Sequence, residues 1–501
     1  MTASTRPSAR DHEPFQYRFS RSGQPATVMG RPFQQVAPVV LGAMFAVVML
    51  MAGQVLIGLV GPLLGAAVAL GRWKDTPIYE MAGPGIGLVV RRRRGRDVWI
   101  RRTLTATEDT QELPAALEGL ELIEAAATWL PNHPLYGVVL DRPAGRVSAT
   151  VPVSGSGFPV AGRREQDRLV SAWGEVLAPL ADVERGAVCQ LVWQDWSRPE
   201  GVATHEAFLD EIAGADPATN AGADYRDLLT RSGPVTVAHE ITLTLTVDIA
   251  RVKAGRGVSQ LDTAVELLGQ QIGALDGRAA GAGIKTGDPL TPAQIAEAVR
   301  FRSDPTRTAA GSIISLAAAA GVEAIEWGPM ATKTDWTDMR VDGSWHRSFK
   351  VAGWPTRPVY ASWLEPLLVG CGSASRTVTV VMEPVAAGKA AAEANRQLTT
   401  LGAEGDAKTK AGFRETAGER RRTSEVEDRE NELAAGFAMF LFACVVTVTA
   451  DSAEALDDAS AQVTRAGVQS QLDLRPLTAQ QEPGWVASLP LGRAVRKGLL
   501  S

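Results

Sequence analysis

Lys285 lies in the stretch GAGIKTG (residues 281–287), which suggests a phosphate-binding loop. Such a loop needs a glycine directly before the lysine, so that the backbone can wrap the phosphate, and another glycine five residues earlier. Ile284 and Ala279 occupy these two positions. We therefore interpret Lys285 as a loop lysine. Without a phosphate loop, Asp248 at the end of TLTLTVD is interpreted as the end of a strand and not as a magnesium ligand.

Two further motifs could indicate hydrolytic chemistry, but both are incomplete. His239 and Glu240 begin HEITL, which lacks the second histidine of a zinc-binding HExxH helix and lies in a strand pattern. Ser154 takes the place of the first glycine of a GxSxG nucleophile elbow in VSGSG. The remaining histidines are far apart in sequence, and the cysteines lack CxxC spacing and are predicted to be buried thiols: His12, His133, His205, His346, Cys189, Cys371 and Cys444.

The sequence therefore predicts no catalytic residue, no metal ligand and no cofactor, and we expect a protein that is not an enzyme. A membrane-tethered enzyme whose site is assembled from scattered residues is the alternative. The strongest remaining signal is a run of tryptophans, Trp336, Trp345, Trp354 and Trp363. They could pack inward around a Trp-Pro corner and a following helix. They are also candidates for docking a protein partner, because tryptophan concentrates binding energy at interfaces.

Arginine is concentrated near the N-terminus. Residues 1–105 hold 14 basic and 5 acidic residues, a local charge of +9, and the rest of the chain has 37 basic and 51 acidic residues, or −14. An acidic body argues against a nucleic-acid-binding domain, so direct DNA contact is not expected. We predict that the arginine cluster contacts anionic lipid, with a tryptophan at the headgroup level: Arg91, Arg92, Arg93, Arg94, Arg96 and Trp99.

Residues 36–71 contain no ionisable side chain. One helix of that length would measure about 52 Å, whereas the hydrocarbon core of a membrane is about 30 Å thick. Two short membrane-spanning helices are therefore favoured, with one tilted span as the alternative. Because arginines flank the segment on both sides, the positive-inside rule predicts a multi-pass protein of the cytoplasmic membrane with both termini in the cytoplasm.

Beyond residue 105, short β-branched runs alternate with helical periods, which predicts an α+β fold. Residues 235–249 alternate most cleanly, residues 258–275 have helical spacing, and Thr291 before Pro292 marks a helix start. We expect ferredoxin-like α/β sandwich units behind a transmembrane hairpin. The predicted regions are a cytoplasmic tail (1–35), the hairpin (36–71), a basic juxtamembrane segment (72–105), a first α/β unit (106–233), a middle segment (234–372) and a second α/β unit (373–501) with a charged helical arm (about 413–436).

Several stretches resemble components of type IV secretion and conjugation systems. The hairpin followed by GRWKDTPIYE looks like the PrgI-like small inner-membrane subunits, a likeness carried by Gly71, Arg72, Tyr79 and Glu80. The rest resembles the non-catalytic N-terminal region of the conjugative transfer ATPase, through residues 300–305, 342–359, 376–384 and 429–437. Together they look like a family of actinobacterial membrane proteins encoded near such ATPases.

The resemblance implies a scaffold of the inner-membrane platform that docks a separate hexameric transfer ATPase, because the ATPase's own phosphate loop is missing from this chain. It also implies contact with other secretion-complex subunits, and a homo-oligomer is compatible with this role. The alternative in the same class is an EccE-like membrane subunit of type VII secretion.

Overall fold

The computed structural model describes residues 17, 19, 27–28, 31–73, 76–101, 113–127, 135–155, 157–181, 188–199, 220–232, 237–305, 327–372, 374–410, 416–434 and 438–493. His12, His133, His205 and most of the predicted N-terminal tail lie outside these residues. The described chain is a mixture of helices and strands with one large antiparallel sheet.

The strands, numbered in chain order, have the following bounds: β1 Thr27–Val28, β2 Arg31–Pro32, β3 Arg72–Trp73, β4 Thr76–Pro77, β5 Val98–Ile100, β6 Leu120–Ala126, β7 Leu135–Asp141, β8 Arg146–Gly155, β9 Val188–Pro199, β10 Val237–Asp248, β11 Ile284–Thr286, β12 Ala331–Thr334, β13 Met339–Val341, β14 Ser344–Gly353, β15 Ser375–Val385, β16 Met439–Ala450 and β17 Asp473–Pro476.

The helices are α1 Phe33–Met51, α2 Val55–Leu70, α3 Ile78–Arg93, α4 Arg163–Leu177, α5 Asn220–Ser232, α6 Gln260–Ala279, α7 Pro292–Ser303, α8 Glu365–Leu368, α9 Ala387–Lys410, α10 Ala417–Ala434, α11 Ala453–Gln469 and α12 Gln481–Ala487. Short 3₁₀ turns follow or precede some of them, at Phe158–Val160, Ala178–Ala181, Ile249–Arg251 and Ala280–Ala282.

Among the described residues, the large sheet has 13 strands in the order β5-β12-β13-β14-β16-β15-β9-β10-β8-β7-β6, with β11 paired to β8 and β17 paired to β14. The junction of its two halves is the antiparallel pair β9–β15, where Trp196 lies opposite Thr377 and Leu191 opposite Met382. We expected separate sandwich units. The strands of the first and last thirds instead belong to one continuous sheet.

One face of the sheet is apolar. Val147, Leu191 and Leu245 on this face pack against α4 and α6, and Val378, Val446 and Val448 pack against α8 and α11. The opposite face is lined by buried hydroxyl and amide side chains, including Thr150, Gln194, Thr244, Ser348 and Thr447. Helices α7 and α12 and the following residues up to 493 cover this polar face.

Hydrogen bonds explain how a polar sheet face can be buried. Thr150 Oγ1 donates to the Pro490 carbonyl at 3.0 Å, and Gln194 Nε2 donates to the carbonyls of Ala487 and Leu489 at 2.8 and 3.0 Å. Buried hydroxyls must find such partners because an unpaired buried polar group is costly. The Thr-rich alternation of β10 therefore reflects a covered face and not a solvent-exposed one.

Several predicted elements are confirmed. Residues 235–249 contain β10, and residues 258–275 contain most of α6. Thr291 caps α7 in a capping box with Gln294, with Pro292 as the first helical residue. In the region predicted as a charged arm, α10 lies beside α9, and Arg429 Nη1 donates to Gln397 Oε1 at 3.2 Å.

The predicted transmembrane hairpin is wrong. Residues 36–71 do form two helices, α1 and α2, joined at Gly53, whose φ is +75°. Among the residues that the structure describes, however, no helix combines the length and apolar character needed to cross a membrane. Helix α2 has 16 residues and rises only about 24 Å, short of a core of about 30 Å. The predicted location as a multi-pass protein of the cytoplasmic membrane is corrected with it.

Candidate docking surfaces

Helix α3 carries most of the arginine cluster. Its first turn is fastened to the large sheet and the helices that pack on it, which we call the body. Glu80, in that turn, accepts a hydrogen bond from Lys350 Nζ of β14 at 2.8 Å, and Arg475 of β17 lies 3.9 Å away. Both side chains of the Glu80–Lys350 pair are mostly buried, at 22% and 18% exposure. An acidic residue at a helix N-terminus is also favoured by the helix dipole. Glu80 therefore fixes the position of α3.

In the last turn of α3, two of the predicted lipid-contacting arginines form ion pairs within the chain. Arg91 pairs with Glu482 of α12. Arg92 Nη2 lies 2.8 Å from Asp335 Oδ1, and Arg92 Nε lies 3.7 Å from Asp97 Oδ2. These pairs hold the C-terminal end of α3 against the turn that precedes β13 and against α12.

The other members of the cluster lie at the surface or at a sheet edge. Arg93, Arg94 and Arg96 are exposed. Trp99 lies in the edge strand β5, opposite Thr332 of β12, and is half-buried. The predicted lipid contact of these residues stays a prediction.

Trp336 connects α3 to the body. Its ring lies edge-to-face with Trp73 of β3 at 6.2 Å. A Cβ atom built on Gly85 of α3 would lie 3.1 Å from the Trp336 ring, so glycine permits this close approach. The Trp336 carbonyl accepts a hydrogen bond from Ala479 N at 2.7 Å. Trp336 is thus occupied by contacts within the chain.

Trp345 lies in β14, half-buried, opposite Arg340 of β13, whose guanidinium lies 5.8 Å from the centre of the Trp345 ring. It also packs against the core between β14, β16 and α11. The environment of Trp345 is that of a core-edge residue. None of the four tryptophans is fully exposed.

Trp354 and Trp363 form an aromatic groove together with Phe442 of β16. The two indole rings lie 6.2 Å apart, and Trp354 lies 4.8 Å from Phe442, both pairs edge-to-face. Phe19 fills this groove, stacking on Trp354 at 5.3 Å and meeting the edge of Trp363 at 4.9 Å. We call Trp354, Trp363 and Phe442 the aromatic groove below.

Tyr17 fastens the same N-terminal segment. Its N–H donates to the Val359 carbonyl at 2.8 Å, and Val359 N donates to the Tyr17 carbonyl at 3.0 Å. Its hydroxyl donates to Asp167 Oδ1 at 3.1 Å. Burial, together with the Asp167 charge, raises the pKa of Tyr17 to about 12, so the phenol stays a donor near neutral pH.

The hairpin of α1 and α2 exposes apolar side chains on nearly every side. Gly42 of α1 meets Gly61 of α2, and Gly65 meets Pro38, so closely that an added Cβ would lie 2.4 to 2.7 Å from a backbone oxygen. This glycine contact takes up one face of each helix. The other faces carry exposed apolar side chains, namely Val39, Val40, Leu41, Met44, Phe45, Val47, Val48, Leu50, Met51, Val55, Leu56, Ile57, Leu59, Val60, Leu63, Leu64 and Leu70.

His239, Ser197 and Asp195 come together on β9 and β10, but not in a catalytic arrangement. His239 Nδ1 lies 3.1 Å from Asp195 Oδ1 and 3.1 Å from Ser197 Oγ, and Ser197 Oγ lies 3.2 Å from Asp195 Oδ1. A Ser-His-Asp relay needs the serine at one ring nitrogen and the carboxylate at the other. Here both partners share Nδ1, so the cluster is a hydrogen-bond network around Asp195. Among the described residues, no group of three or more potential ligands could hold a metal ion.

Sequence reasoning missed the residues that fasten the chain to itself. Glu80 stands out only through the PrgI-like resemblance, and Tyr17 and Phe19 show no signal beyond the aromatic alternation in QYRF. Their partners Lys350, Trp354 and Val359 are hundreds of residues away, and no local pattern connects them.

No protein-family model matches this sequence, and neither does any curated protein. The resemblance to secretion components thus depends on the quoted stretches alone and stays a prediction.

Proposed function

We propose that the protein is a non-catalytic docking subunit of a type IV-like secretion or conjugative DNA-transfer system and binds a separate transfer ATPase. The quoted stretches support the class, because they resemble the ATPase's non-catalytic region in a chain that has no phosphate loop. The single observation that carries its role as a subunit of a larger assembly is the exposed apolar surface of the α1–α2 hairpin.

A soluble monomer rarely leaves so large an apolar surface uncovered, and patches above a few hundred Å² mark interaction sites. A partner that lies flat on the hairpin would cover one side only, whereas this hairpin is apolar around most of its circumference. A helix that is apolar all round belongs in the interior of a larger structure. Further copies of the same chain supply matching uncharged helices, so we propose that the hairpins associate with one another.

In this arrangement the hairpins hold copies together, and the bodies face outward as docking units for the ATPase. Residues 36–71 contain no ionisable group, so the hairpin contact would be insensitive to salt. Residues 106–501 carry the net charge of −14. Because salt screens charges at a protein surface, the contact of this part of the chain with the ATPase would weaken as the salt concentration rises.

The self-association is tested by two matched variants of the full chain. Gly61→Leu places bulk where a Cβ would already lie 2.7 Å from the Gly42 oxygen, so it should splay the hairpin and give a monomer by light scattering after gel filtration. Ala391→Leu adds similar bulk on an exposed face of α9, outside the hairpin, and should leave the oligomer intact. Circular dichroism should show the body folded in both variants.

The proposed contact between hairpins would be overturned if the native protein is monomeric at micromolar concentration. It would also be overturned if the protein floats with lipid vesicles in a density gradient as a monomer. The ATPase contact is tested separately, by tagging the native chain in its own host and identifying the ATPase that copurifies at low salt. A type IV transfer ATPase supports the proposal, a type VII ATPase supports the EccE-like alternative, and recovery of the chain without any ATPase refutes the docking role.

A further inference from the structure

We propose that the aromatic groove is a peptide-binding site for an extended segment with aromatic side chains at alternate positions, and that Tyr17 and Phe19 are its displaceable resident ligand. This proposal does not depend on the secretion assignment. It concerns a second docking site, distinct from the hairpin, whose occupant is already part of the chain.

The backbone contact has the geometry of strand addition. Tyr17 and Val359 exchange two backbone hydrogen bonds in a single antiparallel bridge. Peptides that add to an exposed backbone edge gain affinity from such bonds and specificity from pockets for alternate side chains. Tyr17 and Phe19 both contact the body through their side chains.

The two side chains make different kinds of contact with the body. The Phe19 ring inserts between the indoles of Trp354 and Trp363 in one stacked and one edge-to-face contact, which are the favoured arrangements for aromatic pairs. The Tyr17 hydroxyl donates to Asp167 at the end of the contact. The site therefore selects tyrosine over phenylalanine at the first position, because only the hydroxyl supplies this hydrogen bond.

The groove is formed by the body and not by the segment. Trp354 is held by Phe442 as well as by Trp363, and Trp363 packs against the core beside Leu367. A cavity of about 540 Å³, lined in part by Val359, Tyr360 and Trp363, adjoins the bridge. A ligand longer than the resident contact thus has room to extend next to the groove.

Among the described residues, the resident contact includes a backbone bridge, a side-chain hydrogen bond and an aromatic ring, and the segment is covalently tethered to the chain. A tethered ligand benefits from a high effective concentration, so weak intrinsic binding suffices to hold it in place. A competing peptide of the same pattern must displace it, which makes the segment autoinhibitory for this groove.

The test uses a labelled synthetic peptide, HEPFQYRFSRSGQ (residues 12–24), and the full chain. The double variant Tyr17→Ala/Phe19→Ala should leave the groove vacant and bind the peptide at least tenfold more tightly than the native chain by fluorescence anisotropy. A peptide with both aromatics replaced by alanine should not bind. Adding Trp363→Ala to the double variant should abolish binding, with circular dichroism reporting an intact fold.

Equal peptide binding by the native chain and the double variant would overturn the proposal, and so would no binding by a folded double variant. A second measurement leaves the groove unchanged. The photo-crosslinking residue benzoylphenylalanine, placed at position 19 of the otherwise native chain, should form a crosslink within the chain. After proteolysis, that crosslink should be found on the fragment that contains Trp354 or Trp363. Addition of excess free peptide should reduce that crosslink, and a crosslink that is absent or insensitive to the peptide would also overturn the proposal.

Discussion

His346 should make the stability of this protein depend on pH well above the range where carboxylates titrate. It lies in β14 with only 1% of its surface exposed. Its Nε2 lies 2.8 Å from the Ser303 carbonyl and its Nδ1 lies 3.0 Å from Thr449 Oγ1. A carbonyl can only accept, so Nε2–H donates to Ser303 and Nδ1 accepts from the Thr449 hydroxyl. The bond to Ser303 is possible in both protonation states, whereas the bond from the Thr449 hydroxyl requires the neutral imidazole, because a protonated Nδ1 could not accept.

Burial lowers the pKa of His346 from its ordinary value of 6.5 to about 4, even though the Ser303 carbonyl and the nearby Asp304 act in the opposite direction. Between these two values the unfolded chain binds a proton that the native state excludes, so stability falls as pH falls. At pH 5, a pKa difference of about 2.5 removes about 2 kcal/mol of the stability present at pH 7.5, and about 3 kcal/mol is lost once pH is below both values.

The assay is urea unfolding followed by tryptophan fluorescence at pH 7.5 and pH 5. The matched variant is His346→Gln, since its amide can donate to Ser303 without titrating. Native protein should lose about 2 kcal/mol more than the variant between the two pH values. This difference cancels contributions from carboxylates common to both proteins. Equal losses in the two proteins would refute the reasoning, as would an NMR titration of the His346 ring with a midpoint near 6.5.

Two further substitutions test how the body is assembled. Glu80→Gln leaves Lys350 partly buried without its charge partner. It should therefore reduce the free energy of unfolding by about 1 to 2 kcal/mol and speed hydrogen exchange in α3. The control Glu432→Gln, at an exposed position of α10, should change neither quantity. Gly484→Ala would place a Cβ 2.4 Å from Ser348 Cβ and should cost about 2 kcal/mol or more by thermal unfolding, whereas Gly388→Ala, with open space around it, should be neutral or slightly stabilising. A neutral Glu80→Gln, or a Gly484→Ala protein as stable as the native one, would contradict these packing arguments.

Local patterns in the sequence were informative where an element depends on its own residues. The apolar spacing of α6 and the helix start at Thr291 are short-range features, and both predictions are confirmed. The pairing of β9 with β15 joins Trp196 to Thr377 across a long stretch of chain. No periodic pattern in the sequence predicts that contact. The sequence alone therefore could not distinguish a single sheet from separate units.

The error at residues 36–71 has a different cause. Residues 36–71 do form the two short helices that were predicted, but the absence of charge does not by itself make a helix long and apolar enough to cross a membrane. The turn at Gly53 and the start of α2 at Val55 leave 16 residues for the second helix. For the candidate site, the four tryptophans stand out in the sequence, but their partners Phe19, Trp73 and Gly85 come from the N-terminal part of the chain and are found only in the folded structure.

The burial of the polar sheet face has a consequence for the order of events during synthesis. Gln190, Gln194 and Thr150 obtain their acceptors from residues 487–492, which leave the ribosome after every strand of the sheet. Until then, these amides and hydroxyls lack their acceptors in the chain and must be hydrated, so the polar face of the sheet stays in contact with water. The polar face of the sheet is therefore covered only after all of its described strands have been synthesised.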